Sequence, residues 1–152
     1  MNWNADQKDY HFQRIRCIDH VLVASQTLGV QAKEAAVITD IDRDELKQKL
    51  DHPKKIVLVD ALLEEEFRKL HLPGAINIPA DQVRRLATEL IPNKEVEVIV
   101  YCAGPQCHAY DTAANEFNAM GYSNVRRYVG GKQDWLKARL PVVREGDQRA
   151  VA

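Results

Sequence analysis

Cysteine is scarce in this sequence, and neither sign of charge is in excess. The three cysteines among 152 residues, Cys17, Cys102 and Cys107, are too few and too unevenly spaced for a disulfide scaffold. Lys and Arg number 21 and Asp and Glu 22, which gives a formal net charge of -1. This balance provides no electrostatic reason to expect a nucleic acid or an anionic membrane as a partner.

Long apolar runs are absent as well. No stretch approaches the ~18–20 apolar residues that a membrane-spanning helix requires, and the start of the chain, MNWNADQKDY, is too polar and acidic for a secretory signal peptide. Hydrophobic residues nevertheless make up 45% of the chain and charged residues 28%, which excludes wholesale disorder. We therefore expect a soluble, cytoplasmic protein with one domain of ordinary size.

The first part of the chain has the pattern of an amphipathic helix. Over residues 9–28, apolar side chains recur every three or four positions, and Gly29 follows as a stop signal. Residues 1–36 are therefore predicted to form a helical extension and connector. Residues 37–143 are predicted to form the main domain, and residues 144–152 a flexible tail.

From residue 37 onward, short β-branched runs alternate with helical stretches. Such alternation predicts βαβ crossovers and an α/β fold, with a mainly parallel central sheet and helices on both faces. Asp42 is a candidate helix N-cap and Gly121 a candidate C-cap glycine. The predicted strands are 37–41, 55–60, 75–78, 97–101 and 124–129, and the predicted helices are 42–50, 64–69, 81–90, 108–120 and 132–140.

Residues 101–108 join a continuous apolar strand to a predicted helix. Ligands of open α/β sheets bind beyond the carboxyl ends of the strands, and Cys102 stands at that position. A turn of backbone N–H groups ahead of a helix N-terminus favours the thiolate, so we expect the pKa of Cys102 to lie below its reference value of ~8.5. The position is equally compatible with a small apolar residue at the end of a strand.

Two neighbours of Cys102 also carry reactive groups. His108 is either a general acid or base or an ordinary polar residue in the first helical turn, and the second interpretation is preferred. For Cys107 the preferred interpretation is an inert side chain that packs into the helix core, and the alternative is a resolving thiol. Zinc needs about four ligands, so a metal site formed by these three residues is not favoured.

Four stretches in the right order resemble the rhodanese (sulfurtransferase) family over about residues 37–143. Residues 71–79, HLPGAINIP, are very similar to the family's most recognisable signature. The resemblance implies a rhodanese-like domain and a sulfurtransferase that acts through a persulfide on Cys102. The other three stretches are IVLVD ending at Asp60 and followed by Glu66 and Phe67, the strand and loop at Cys102, and Gly130-Gly131 followed by Trp135.

The resemblance also implies roles for the residues around Cys102. For Asp60 and His71 a structural role, in which they hydrogen bond to backbone near the site, is preferred over the alternative of a catalytic role, and no metal or organic cofactor is required. Gly130 and Gly131 are expected to provide permissive backbone near the mouth of the site. Backbone N–H groups after the cysteine are expected to hold the persulfide, which makes substrate-binding candidates of Ala103, Gly104, Gln106, Cys107 and His108.

The partners implied by the resemblance are a small sulfur donor and a thiol or another thiophilic acceptor. An acceptor protein is a further option. So is a homodimer formed through the extension at residues 1–36. Neither a nucleic acid nor a membrane is an expected partner.

The chain departs from the family pattern in its charges. Relatives usually carry Arg at the position of Leu62, and many have a basic residue in the active-site loop, whereas residues 103–107 contain none. Pro105 also lacks an N–H group. Thiosulfate, a dianion, is therefore expected to be a poor donor. Phosphatases of related fold have a Cys-x5-Arg pattern, and His108 in place of that Arg disfavours phosphatase activity.

Two other functions stay open on the sequence alone. One is a catalytically weak rhodanese-like module that binds a partner protein, which the uncharged loop and Leu62 would suit. The other is a thiol redox sensor in which Cys102 and Cys107 form a disulfide.

Overall fold

The structure is a computed structural model that describes residues 36–52 and 56–147. The helix predicted over residues 9–28, nearly all of the predicted connector and the end of the predicted tail lie outside the described residues. Within the described part of the chain, no helix is both long and apolar enough to cross a membrane.

Five parallel strands form one sheet. The order across the sheet is β1-β5-β4-β2-β3, so β4 and β2 are flanked on both sides. These two strands have the most continuous apolar sequences, EVIVY and IVLVD, as expected of strands covered on both faces. The strands are β1 (Thr39–Asp40), β2 (Ile56–Asp60), β3 (Ile76–Asn77), β4 (Glu97–Tyr101) and β5 (Val125–Tyr128).

The helices connect the strands and confirm the predicted alternation. The prediction for residues 81–90 differs at its start, because a 3₁₀ turn (Ala80–Gln82) precedes the α-helix there. The last helix ends earlier than predicted, and Arg139 just after it has a left-handed φ of 56°. The helices are α1 (Arg43–Asp51), α2 (Glu64–Lys69), α3 (Val83–Leu90), α4 (Ala109–Ala119) and α5 (Gly131–Lys137).

Two helix boundaries follow from local chemistry that the sequence indicated. The Asp42 carboxylate accepts the backbone N–H of Glu45 at 2.8 Å and so caps α1. Gly121 follows the end of α4 with φ 87°, the left-handed conformation in which glycine commonly ends a helix. Both cap predictions are confirmed.

The sheet separates two hydrophobic cores. The first core contains Cys102 and Val100 and packs beneath α3 and α4, with Phe117 among its largest side chains. The second core contains Tyr101 and packs beneath α1 and α5, with Trp135 among its buried side chains. Because successive strand residues point to opposite faces, helices on both faces bury the central strands β2 and β4, and the predicted fold class is confirmed.

The first residues of the predicted tail contact the domain. The backbone N–H of Glu145 donates to the Arg68 carbonyl at 2.8 Å. The Arg144 N–H donates to the Asp147 carboxylate at 3.1 Å, which closes a short turn. Residues 144–147 are therefore tied to the C-terminal end of α2.

Candidate active site

Cys102 is the first residue after β4, at the carboxyl edge of the parallel sheet. The strand register aligns the end of β4 with both of its neighbours, because Tyr101 pairs with Asp60 on one side and with Tyr128 on the other. Cys102 is 0% exposed and belongs to the first core. The candidate nucleophile therefore lies within the protein, at the point where the sequence predicted a ligand site.

The loop after Cys102 contains a tight turn. The Cys107 N–H donates to the Gly104 carbonyl at 3.0 Å, and Pro105 occupies the second turn position, where its restricted φ is favoured. The Cys107 N–H is therefore already engaged, unlike the free donor expected from the sequence. Within residues 36–52 and 56–147, no backbone carbonyl accepts from the N–H groups of Ala103, Gly104, Gln106 and His108.

The sulfur of Cys102 is surrounded by groups that favour its protonated form. The thiol donates to the carbonyl oxygens of Cys107 at 3.5 Å and of Gly104 at 3.8 Å. Burial, as the main cause, and the side chain of Cys107, as the next, raise the pKa of Cys102 to about 12. The lowered pKa expected from the sequence is wrong, because desolvation outweighs the field of the loop.

The predicted backbone field is nevertheless present. Hydrogen bonds from the backbone of Gly104 and of Tyr110 act to lower the pKa of Cys102. Tyr110 lies in the first turn of α4, where backbone N–H groups have no partner within the helix. These donors are weaker than desolvation while the sulfur is buried and neutral, but they stabilise any negative charge that forms on it.

The N-terminus of α5 holds the loop from the other side. The N–H groups of Lys132 and Gln133 donate to the carbonyls of Cys102 and Ala103, at 3.0 and 2.9 Å. Gly131 has φ 56°, and a Cβ built on it would lie 2.4 Å from the Cys102 oxygen. Only glycine allows this approach without displacing the loop. The expectation that the glycine pair lies near the site therefore holds for Gly131.

A buried ion pair lies beside the end of β4. Asp60 is 0% exposed, and its Oδ2 atom lies 2.9 Å from the Lys132 ammonium. The other carboxylate oxygen accepts the Leu62 N–H at 3.0 Å, which confirms the predicted backbone contact of Asp60. The Lys132 ammonium also donates to the Glu66 carbonyl at 3.1 Å. Lys132 thus provides a cation near the position where relatives usually have Arg and this chain has Leu62.

His71 and Trp135 have structural positions. His71 Nδ1 lies 2.8 Å from the Phe67 carbonyl, and the two rings stack with centroids 3.8 Å apart. The His71 backbone also exchanges two hydrogen bonds with Val143. Trp135 is buried in the second core, where its indole N–H donates to the Pro141 carbonyl at 2.8 Å. His71 therefore contacts backbone as expected from the sequence, and Trp135 is a core residue.

The outer part of the loop faces solvent. Gln106 is exposed, and the side chain of His108 is 85% exposed. The imidazole of His108 lies 3.9 Å from the Asp111 carboxylate, which in turn pairs with Arg127 at 2.5 Å. His108 therefore has the character of a polar residue at a helix start, the interpretation that the sequence favoured.

Several features of the site carry no signal that periodicity or motifs could have revealed. The pairing of Lys132 with Asp60 joins residues distant in sequence, and a lysine on a short helix is normally solvated. The contributions of the Tyr110, Lys132 and Gln133 backbones depend on how two helix N-termini meet the loop. Among the described residues, no three His, Cys, Asp or Glu side chains are grouped so that they could hold a metal ion.

Comparison with known proteins identifies related domains. The family model described as "Rhodanese-like domain" matches residues 42–138. The chain is 31% identical over 107 residues to the putative sulfur carrier protein YrkF of Bacillus subtilis, a match that covers 68% of this chain and 54% of that protein. It is 35% identical over 77 residues to the thiosulfate sulfurtransferase PspE of Escherichia coli, covering 50% of this chain and 70% of that protein.

A solved structure agrees with these matches. The BH2092 protein of Bacillus halodurans superposes with a TM-score of 0.66 at 29% identity, covering 70% of this chain and 77% of that chain. Several curated relatives are longer than the region they share with this chain, which spans 54%, 38% and 20% of the length of three of them. The similarity therefore concerns the domain and not the whole of those proteins.

Proposed function

This chain belongs to the family of rhodanese-like domains, and from that premise we propose that it moves a sulfane sulfur from a donor to a thiophilic acceptor through a persulfide on Cys102. Relatives that are named sulfurtransferases support a role in sulfur transfer. The observation that carries the finer proposal is the position of Cys102, at the carboxyl edge of the sheet with the backbones of Gly104 and Tyr110 hydrogen bonding to its sulfur.

The proposed reaction has two displacement steps. In the first, the Cys102 thiolate attacks the sulfane sulfur of the donor, a sulfur–sulfur bond forms, and the remainder of the donor leaves with the electron pair of the broken bond. In the second, an acceptor nucleophile attacks the outer sulfur of the persulfide, and Cys102 leaves as the thiolate. Covalent catalysis of this kind divides one transfer into two easier steps.

The surrounding backbone is suited to the charged states of this cycle. A persulfide anion carries its charge on the outer sulfur, which is one bond beyond the Cys102 sulfur. The N–H groups of Ala103, Gln106 and His108 have no backbone acceptor within residues 36–52 and 56–147. We infer that these donors, together with those of Gly104 and Tyr110, hold the persulfide anion.

The charges near the loop favour a donor with little negative charge. Residues 103–107 contain no Lys or Arg, and the ammonium of Lys132 is paired with Asp60. The carboxylate of Asp111 lies at the start of α4, close to His108. A dianion such as thiosulfate therefore lacks an unpaired cation in the loop, and an organic persulfide is the better substrate class.

Mass spectrometry of the intact protein tests the proposal. After incubation with cysteine persulfide, glutathione persulfide or thiosulfate and removal of the donor, the protein is expected to gain one sulfur atom on Cys102, and a thiol acceptor is expected to remove it. Cys102→Ser should take up no sulfur, since a hydroxyl is a poor sulfur nucleophile. Cys17→Ser, which keeps both loop cysteines, is the matched control and should react like the parent. If neither the parent nor Cys107→Ala gains sulfur from any donor, and no sulfide is released, the result would support a binding module instead.

A further inference from the structure

Cys107 is the second thiol of the loop, and the proposed transfer reaction does not use it. The Gly104–Cys107 turn folds the chain back so that the Cys107 carbonyl lies 3.5 Å from the Cys102 sulfur. A carbonyl oxygen is separated from the Cβ of its own residue by only two intervening atoms. Cys107 therefore lies close to the Cys102 sulfur. The spacing of five residues in the sequence did not by itself establish this proximity.

The side chain of Cys107 also lies on the same side of the sheet as Cys102. It is partly buried and packs against the first core, of which Cys102 is a member. The Cys107 side chain contributes to the raised pKa of Cys102, as expected for two thiols in direct proximity. Packing against the core agrees with the preferred interpretation of Cys107, but the proximity of its side chain to Cys102 also allows a reaction between the two thiols.

We propose that Cys107 is a resolving thiol, which attacks the persulfide on Cys102, releases sulfide and leaves a Cys102–Cys107 disulfide. This inference rests on the persulfide of the proposed function and specifies a second fate for it. It adds an activity, the reduction of sulfane sulfur to sulfide, to the transfer of that sulfur to an external acceptor.

The step balances without an external oxidant. The Cys107 sulfur forms a bond to the inner sulfur of the persulfide, which is the Sγ atom of Cys102. The bond between that atom and the outer sulfur breaks, and the outer sulfur leaves with the electron pair as hydrosulfide, so that one persulfide and one thiol give one disulfide and one hydrogen sulfide. The sulfane donor has supplied the oxidising equivalent, and a dithiol reductant returns the disulfide to two thiols.

The different exposure of the two cysteines determines which sulfur of the disulfide a reductant attacks. Cys102 is fully buried, whereas Cys107 is partly exposed. A dithiol reductant therefore has direct access to the Cys107 sulfur of the disulfide but not to that of Cys102. When an acceptor is abundant, it removes the outer sulfur of the persulfide before Cys107 reacts. When the acceptor is scarce, the attack of Cys107 releases that sulfur as sulfide.

A single-turnover experiment on the full chain tests the proposal. The protein is loaded with cysteine persulfide, freed of excess donor and kept without acceptor or reductant. We then follow its intact mass and the sulfide released. The parent should lose the added sulfur, release about one equivalent of sulfide per persulfide and end two hydrogens lighter than the reduced protein, as a disulfide requires. Cys107→Ala should keep the persulfide and release almost no sulfide.

Three controls make each outcome decisive. Cys107→Ser keeps a polar side chain of similar size and should behave like Cys107→Ala, and circular dichroism reports whether either variant is folded. Cys17→Ser should behave like the parent, because it keeps both loop thiols. If the persulfide forms but decays equally in the parent and in both Cys107 variants, Cys107 is not a resolving thiol and sulfur transfer stands. If no persulfide forms in any folded variant, the transfer proposal fails and this inference fails with it.

Discussion

Replacing Lys132 by methionine tests the buried ion pair beside the site. Methionine retains most of the apolar stem of lysine but removes the ammonium that lies 2.9 Å from Asp60 Oδ2. Asp60 is 0% exposed and Lys132 is 8% exposed. In Lys132→Met the carboxylate stays buried and loses its counter-charge, although it keeps the hydrogen bond from the Leu62 N–H and the neighbouring Tyr101 hydroxyl. An uncompensated charge in such a position destabilises the fold strongly.

The size of the effect follows from the geometry. Breaking a buried pair by removing one partner costs ~3–5 kcal/mol. The two charges are close, but they do not form a well-aligned hydrogen bond, which places the expected loss at the lower end, about 3 kcal/mol. Since a domain is typically stable by only ~5–15 kcal/mol, such a loss is readily measured. Urea denaturation at pH 7 provides the free energy of unfolding for the parent and the variant.

A double variant distinguishes loss of charge balance from loss of packing. Asp60→Asn combined with Lys132→Met removes both charges, so it should be more stable than Lys132→Met alone. Lys132→Arg keeps the cation and should lose less than the methionine variant. A loss below about 1 kcal/mol in Lys132→Met, the range of an exposed pair, would refute the reasoning. So would a double variant that is less stable than the single one.

Three further predictions concern the loop. Because burial raises the pKa of Cys102 to about 12, the thiolate is scarce at neutral pH, and the rate of sulfur loading should rise about tenfold per pH unit between pH 7 and pH 9 in stopped-flow assays; a rate that is flat over this interval would contradict the raised pKa. Gly131→Ala should lower the free energy of unfolding by about 1–3 kcal/mol and should also lower the rate of sulfur transfer, because the new Cβ would meet the Cys102 carbonyl. At Gly74 a Cβ would meet nothing within 4 Å, so Gly74→Ala should leave the rate of transfer unchanged. Ala103→Arg should lower the KM for thiosulfate in steady-state kinetics, and an unchanged KM would show that the dianion is held by charges outside the loop.

The central strands and the main helices were predictable because their signals are local. EVIVY at β4 and IVLVD at β2 are nearly continuous apolar runs, which suit strands buried on both faces. The start of α1 at Asp42 and the end of α4 at Gly121 follow from side-chain capping and from a left-handed backbone. The position of Cys102 at the carboxyl edge follows from its place directly after β4 in a parallel sheet.

The protonation state of Cys102 was not predictable in the same way. The sequence indicates that backbone donors follow the cysteine, but it does not indicate how deeply the sulfur is buried or that two carbonyls face it. The role of Lys132 is also non-local, because Lys132 lies on α5 and its partner Asp60 lies at the end of β2. Burial and long-range pairing are properties of the packed chain, so local patterns provide no measure of them.

The contacts between α5 and the loop have a consequence for the order in which the site forms during synthesis. The carbonyls of Cys102 and Ala103 are held by the N–H groups of Lys132 and Gln133, which leave the ribosome later. A nascent chain therefore exposes the thiol before it has the glycine and the helix that enclose it. Until Gly131 and the residues after it have emerged and packed, Cys102 lacks this part of its enclosure and is open to cellular oxidants. Protection of the thiol is thus completed by one of the last segments of the domain to be made.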